Sequence, residues 1–245
     1  MYNQYLILGE AVDGREDEFA DWYSWVHIRD VMAPRPAAIA AQCFRRADVQ
    51  IGERAAPGHP YRFLSLYENS DPVAMTGGGG GEVPPDMLIS SSADHAVGMG
   101  GGYYDTVIER TKAPGEWPDA DLIAEWIERP DPATNDMERY IGTRFPALMS
   151  DPDIVSGWVG RASEHQIFPT PRPAYVALYR TTNLENAGRI WKEAALTPSW
   201  ADDNASVTSF RQTSKRVTRA EVLDPDPATA EMAEAKRRAV KALTR

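Results

Sequence analysis

A single cysteine, Cys43, stands in a chain of 245 residues. That excludes an intrachain disulfide and any thiol-rich metal site. Nowhere do about 18 apolar residues run uninterrupted, the length a membrane-crossing helix needs, and MYNQYLILGEAVDG has no basic region leading into a long apolar one. Positive charge is also scarce. The chain has 26 Lys and Arg against 36 Asp and Glu, a formal charge of -10 spread along its length. That sign disfavours nucleic acid, an anionic membrane and highly anionic substrates. The expected setting is a soluble, cytoplasmic protein. No G-x-S-x-G elbow or Walker motif occurs, and the glycines Gly98 to Gly102 lead into a strand, whereas a dinucleotide fingerprint opens a helix. No His, Asp and Glu spacing makes a metal motif. Cofactor-free chemistry fits these absences better than redox or phosphoryl transfer, and a catalytic metal bound by residues distant in sequence stays open as an alternative.

What the chain does have is one short pattern used twice. The strand-like YLILGEAV precedes EDEFADWYSWVHIRDVM, PAAIAAQCFRR and YRFLSLYE, and the second copy reads ADLIAEWIER, NDMERYIGTRFPALM, IVSGWVGRA and AYVALYRTT. At a shift of 112 to 117 residues Tyr23 falls on Tyr140, Leu66 on Leu178 and Tyr67 on Tyr179, while His27 falls on Arg144 and Asp30 on Ala147. Only the first copy keeps a His and an Asp at the end of its first helix, which says where to look for chemistry.

The first helix opens on Glu16, Asp17 and Glu18, favoured by the helix dipole, and carries Phe19, Trp22, Tyr23, Val26 and Asp30 at helical spacing. Trp25, Ile28 and Met32 form a second apolar stripe, so both sides should be covered. Pro34 and Pro36 end it. Cys43 alternates as a strand residue and reads as a buried, inert thiol. Residues 77 to 102, with five glycines at Gly77 to Gly81 and a second cluster from Gly98, are expected to form a mobile cover over the first-half cavity. Tyr103 to Thr111 returns as a strand, Leu184 to Leu196 as a helix capped by Asn183, and Ala205 to Val217 as the last strand. A charged C-terminal helix follows Asp226-Pro227 and should pack through Met232, Ala235 and Val240. The chain divides into 1–115, 116–222 and a terminal helix over 223–245.

Each half thus reads β-α-β-β-α-β, the ferredoxin-like unit. The progression of strand, EDEF-x-x-WY-x-x-x-H-x-x-D-V, strand and YRFLSLYE resembles the dimeric α+β barrel superfamily, especially its stress-responsive and EthD-like members. The resemblance is closest over residues 4 to 70 and extends to 103–112 and 120–216. It implies an α+β fold in which two tandem ferredoxin-like units pack sheet to sheet into a barrel, here supplied by one chain. It also implies an apolar pocket between each sheet and its helices, where relatives bind small organic molecules. Fold alone does not name the reaction.

His27 is the sharpest candidate, one turn after Tyr23 and close to Asp30. Either neighbour could fix the imidazole tautomer and leave a nitrogen for a substrate proton. The resemblance supports the choice, because related sequences carry a His there. Trp22 would line the pocket. Tyr67, Tyr103 and Tyr104 could stabilise an oxyanion, and Glu109 or Asp105 could be interior and paired. Alternation places Tyr103, Asp105, Val107 and Glu109 on one strand face, opposite Tyr104, Thr106, Ile108 and Arg110. Arg144 reads as structural, and His59, His95 and His165 as loop residues. The expected activity is a cofactor-independent lyase acting on a hydrophobic, aromatic small molecule by His and Tyr proton transfer, with loss of water or formaldehyde. An isomerase, a cofactor-free monooxygenase and a non-catalytic binding protein are the alternatives, and the chain is expected as a pseudo-dimeric monomer or a homodimer.

Overall fold

The computed structural model describes residues 2–51, 61–75, 87–94, 101–112, 119–128, 135–166, 172–194 and 205–243. The first half holds strands β1 (Asn3–Gly9), β2 (Ala38–Arg46), β3 (Phe63–Asn69) and β4 (Gly102–Thr111); the second holds β5 (Asp121–Ile127), β6 (Ile154–Ala162), β7 (Tyr175–Thr181) and β8 (Ala205–Gln212). Their order is β3-β1-β4-β6-β7-β5-β8-β2, and β2 pairs back onto β3, so the ring closes within one chain. Every pairing is antiparallel. The strands of the two halves belong to one continuous sheet, joined edge to edge through β4–β6 and β2–β8. Closure leaves these eight strands no free edge, which is why nearly every strand residue in the middle of the ring is buried.

Side-chain alternation divides the buried residues into layers. Leu6, Leu8, Phe44, Leu64, Leu66, Tyr104, Leu122, Trp126, Trp158, Leu178 and Phe210 fill the barrel. The outer face of the first half carries Tyr5, Ile7, Cys43, Tyr67 and Tyr103 beneath the first helix, and Ile123, Val159, Ala177 and Tyr179 lie beneath the second-half helices. Gly101 permits the close approach of β4 to β1, since a Cβ there would lie 2.1 Å from the Leu6 carbonyl oxygen.

The first helix, α1, is continuous but not uniform: Glu16–Trp22 is α-helical, Tyr23–His27 is π-helical and Ile28–Met32 is α-helical again. The corresponding helix of the second half, α2, has the same construction, with Asp136–Arg139, a π segment at Tyr140–Arg144, and Phe145–Met149. A 3.6-residue periodicity carries no mark of such a segment, and the sequence reading missed both. Asn183 caps α3 (Leu184–Ala194) by accepting from the Asn186 N–H at 3.1 Å.

Two expectations change. The last strand ends at Gln212, and a short β9 (Val217–Thr218) re-pairs with β2 after Ser214 Oγ has accepted the Cys43 N–H at 2.9 Å. The C-terminal helix α4 (Pro227–Leu243) buries Val240 and half-buries Ala233, Lys236 and Arg237, whereas Met232 and Ala235 are exposed. It lies on α1, tied by Lys236 to Asp21 and Arg237 to Asp30, because its acid-facing side is the one that can neutralise α1. Of the glycine-flanked excursion only 87–94 is described; it docks through an Ala11–Ala93 bridge, and the expected cover over 77–86 and 95–100, with His95, lies outside the described residues, as does His59.

Candidate active site

The site is built on a cross-strand row. In the register of β3, β1 and β4, Tyr67 faces Tyr5 and Tyr5 faces Tyr103, so three phenols share the outer sheet face. Tyr5 and Tyr103 stack at 4.1 Å between ring centroids, and Tyr5 and Tyr67 are tilted at 6.1 Å. Tyr23 comes down on this row from α1, with its hydroxyl beside those of Tyr67 and Ser65. The buried Tyr67 hydroxyl has the Tyr23 hydroxyl as its neighbour, which raises its pKa by charge and by hydrogen bonding after the larger effect of burial. Burial raises all four phenol pKa values, so they are hydrogen-bond donors at any ordinary pH.

His27 closes the box. Residues five apart on an α-helix lie about 140° around its axis, but the π segment widens the turn and brings Trp22 and His27 to 4.7 Å between ring centroids. Tyr23 meets the same imidazole edge-on at 4.5 Å. His27 is half-buried, and its Nδ1 is sealed off with no hydrogen-bond partner. Burial, and after it the charge of Arg35, lowers its pKa from 6.5 to about 3. It is therefore a neutral base at physiological pH. Arg35 lies just beyond the end of α1, with Nε donating to the Met75 carbonyl at 2.9 Å and a terminal nitrogen donating to the Val31 carbonyl at 2.7 Å. Its charge also acts on Tyr5 and Tyr103.

The residues singled out from the sequence separate into three places. His27, Tyr23, Trp22, Tyr67 and Tyr103 come together. Asp30 instead bonds outward: its carboxylate takes Arg237 and accepts the Leu88 N–H at 3.2 Å, while Trp22 Nε1 donates to the Leu88 carbonyl at 2.8 Å. Asp30 thus anchors the 87–94 segment and α4, and it makes no hydrogen bond to His27. Tyr104 points into the barrel and donates to the Pro173 carbonyl at 3.4 Å. Glu109 should have shared a face with Tyr103, but a bulge between Thr106 and Ile108 reverses the alternation of β4. Its carboxylate, largely exposed, accepts the Tyr2 hydroxyl at 2.5 Å beside a cleft of about 20 Å³ at the barrel end, with Gln4, Trp158 and Arg180.

Tyr5 and Arg35 were missed. Tyr5 was legible, because it alternates with the interior Leu6 and is the natural cross-strand partner of Tyr67. Arg35 carried no signal, lying between two prolines after a helix.

The second half shows what the same framework does without the histidine. Glu125 on β5 stands where Ile7 stands on β1, two residues beyond the position opposite Tyr179 or Tyr67. Arg144 lies 3.1 Å from the Glu125 carboxylate, Tyr140 donates to it at 2.6 Å, and the Tyr140 and Tyr179 hydroxyls are 2.8 Å apart. Arg144 also sits over the Trp191 ring at 5.3 Å. These polar groups satisfy one another and Arg144 cannot give up its proton, as expected for a structural role. His165 is a partly exposed residue beside Glu164. Cys43 is free and buried, with its pKa raised to about 11 by burial, so it is not a ready nucleophile. Among the described residues no three His, Cys, Asp or Glu side chains converge as a metal set, and no helix is long and apolar enough to cross a membrane.

The chain closes an antiparallel eight-stranded barrel with helices outside, a fold it shares with several solved structures. No family model and no curated protein matches the chain. Among solved structures it is similar to an anthrone oxidase-like protein, with TM-score 0.60 and 8% identity over 91% of this chain and 96% of that one. It is similar as well to a candidate monooxygenase from Fusobacterium nucleatum, with TM-score 0.54 and 9% identity over 89% and 94% of the two chains. Another candidate monooxygenase, from Lactobacillus acidophilus, gives 0.52 and 10% over 89% and 97%. At these identities the likeness is one of fold.

Proposed function

We propose that the chain is a cofactor-independent enzyme that removes a proton from a hydrophobic, aromatic small molecule. His27 accepts the proton, and a hydroxyl of Tyr103 or Tyr67 meets the oxygen that gains charge. The observation carrying this reading is a neutral imidazole, with an unpartnered Nδ1, set against buried phenols that keep their protons and so can donate. Transfer to His27 leaves an enolate or phenolate beside an imidazolium. In the elimination reading the electron pair so released expels a leaving group, water or formaldehyde, and His27 returns its proton. In this reading the halves derive from one duplicated ferredoxin-like unit, supported by their matching strand orders and π segments, and the chain works as a pseudo-dimer. The stress-responsive and EthD-like kinship rests on the motif around His27.

Cofactor-free oxygenation is the second reading, favoured by the names of the proteins sharing the fold. It begins with the same proton transfer, but the resulting carbanion equivalent reacts with dioxygen. Incubation with a panel of phenolic and enolic aromatic compounds, under air and under argon with mass detection, separates the two. Elimination gives the same product in both atmospheres; oxygenation gives a product heavier by oxygen only in air. No turnover of any compound by the folded protein would leave the non-catalytic binding reading in its place.

A further inference from the structure

We propose that the cleft at the barrel end is a second ligand site, separate from the His27 site, and that it takes a small uncharged molecule carrying a hydroxyl on a short apolar body. The two places lie back to back. Along β1 and β3 the inward Gln4 and Leu66 alternate with the outward Tyr5 and Tyr67, so the sheet itself separates the cleft from the phenol row. Leu66, Leu122, Leu178 and the Trp158 ring give the cleft apolar walls, and Gln4, Glu109, Ser156 and Arg180 supply its polar groups. Strand register brings them together: Glu109 faces Trp158 and Trp158 faces Leu178, while Ser156 and Leu122 both face Arg180.

The polar groups set the ligand chemistry. Gln4 is 3% exposed and its Oε1 accepts no hydrogen bond from the protein, and a buried acceptor left so costs stability. Two donors beside it already serve protein acceptors, the Trp158 indole N–H on Thr106 Oγ1 at 2.8 Å and the Arg180 guanidinium on Gln42. A ligand hydroxyl supplies the donor that Gln4 Oε1 needs. Charge disfavours an ion, because Glu68 pairs with Arg216 at 2.5 Å and Glu109 and Arg180 stand at the same end, two carboxylates matched by two guanidiniums. Size sets the rest. The cleft holds about 20 Å³, against roughly 10–15 Å³ for one water-sized group, so it admits a chain of about three non-hydrogen atoms. One of them lies at Gln4 and the others against the leucine and Trp158 walls.

Titration with ethanol tests this, read at the Trp158 indole N–H in NMR spectra of the whole chain and assigned with Trp158→Phe. Ethanol should shift that resonance saturably with millimolar affinity, about the limit for so small a ligand. Dimethyl ether, its isomer without a donor, should bind about tenfold more weakly, the worth of one hydrogen bond to a buried acceptor. Acetate and ethylammonium should not compete. Gln4→Met keeps the length of the side chain without its acceptor and should bring ethanol and dimethyl ether to equal affinity. Ser156→Leu, at a half-buried position, should fill the cleft and abolish the shift, which keeps the inference testable whatever Gln4→Met does to folding. A shift that does not saturate, equal wild-type affinity for ethanol and dimethyl ether, or competition by either ion would overturn the inference. So would an undiminished preference for ethanol in folded Gln4→Met, or an ethanol shift that survives in Ser156→Leu.

Discussion

Replacing His27 by glutamine keeps a polar side chain of similar reach in the tyrosine box but removes a group that can accept a proton. If His27 is the base, turnover should fall by about a hundredfold to ten-thousandfold, the usual contribution of a positioned general base. The pH profile supplies the sharper measurement. A histidine with an ordinary pKa loses about 25-fold in its unprotonated fraction between pH 7 and pH 5. With its pKa lowered to about 3, His27 stays unprotonated across that range, so kcat/KM should be flat where an ordinary histidine would fail.

The same shift makes a stability claim with a definite sign. The unfolded chain takes up a proton on His27 near pH 6.5, while the folded chain does not until about pH 3. The stability that neutral His27 contributes is present above 6.5 and is lost as pH falls, by about 1.4 kcal/mol per pH unit once the unfolded histidine is protonated. Urea unfolding at pH 7 and pH 5 should therefore show wild-type protein losing more stability than His27→Gln, by roughly 2 kcal/mol for one proton over that interval. Equal losses would show that His27 is not held neutral. Near-normal turnover in the folded variant would remove it as the base and leave Tyr67 and Tyr103 as the groups to examine.

Arg144→Gln should unfold at lower urea, with a loss of about 3–5 kcal/mol because buried Glu125 is left without its cation, while turnover per folded molecule changes little; a hundredfold loss of turnover would place chemistry in the second half. Ile7→Glu should raise the His27 pKa, since a carboxylate at the position corresponding to Glu125 favours imidazolium. The His27 ring proton shift in NMR would report it, and an unchanged titration would refute the equivalence of the two positions. Asp30→Asn should weaken the ion pair with Arg237 by about 1–2 kcal/mol and speed hydrogen exchange in 87–94 and α4 together; exchange confined to one of them would show that Asp30 does not join them.

The mixed α and β fold was legible because strand alternation is a strong signal. Register was not. One extra residue at Val107 moves Glu109 from the helix side to the barrel end, and no local feature of DTVIER announces a bulge. His27 and Tyr23 drew notice because they sit where the two sequence patterns differ and agree, respectively, and their rings meet at 4.5 Å. Asp30 was misjudged as an imidazole partner because helical spacing places it near His27 without saying that a helix 200 residues later supplies a competing arginine. The π segment was invisible for a related reason: sequence patterns report which side of a helix is apolar, not how many residues make one turn of it.

The difference between the halves follows from one strand position. With Glu125 present, a cation on the facing helix is stabilised and a neutral base is not, so an arginine there is held and the tyrosines Tyr140 and Tyr179 are drawn into its network. With Ile7 in that place no carboxylate rewards a cation, and the imidazole of His27 stays uncharged with its Nδ1 unpartnered. Leaving buried polar atoms unsatisfied costs stability, about 1–3 kcal/mol each, and the second half shows that this framework can satisfy them. The first half forgoes that stabilisation at the positions where a ligand could supply the missing partners. It is the unpartnered imidazole nitrogen of His27, a group able to take a proton, that distinguishes the first half, since the unsatisfied buried atoms of the second half include those of Asp151, Trp191, Ser209 and Thr213.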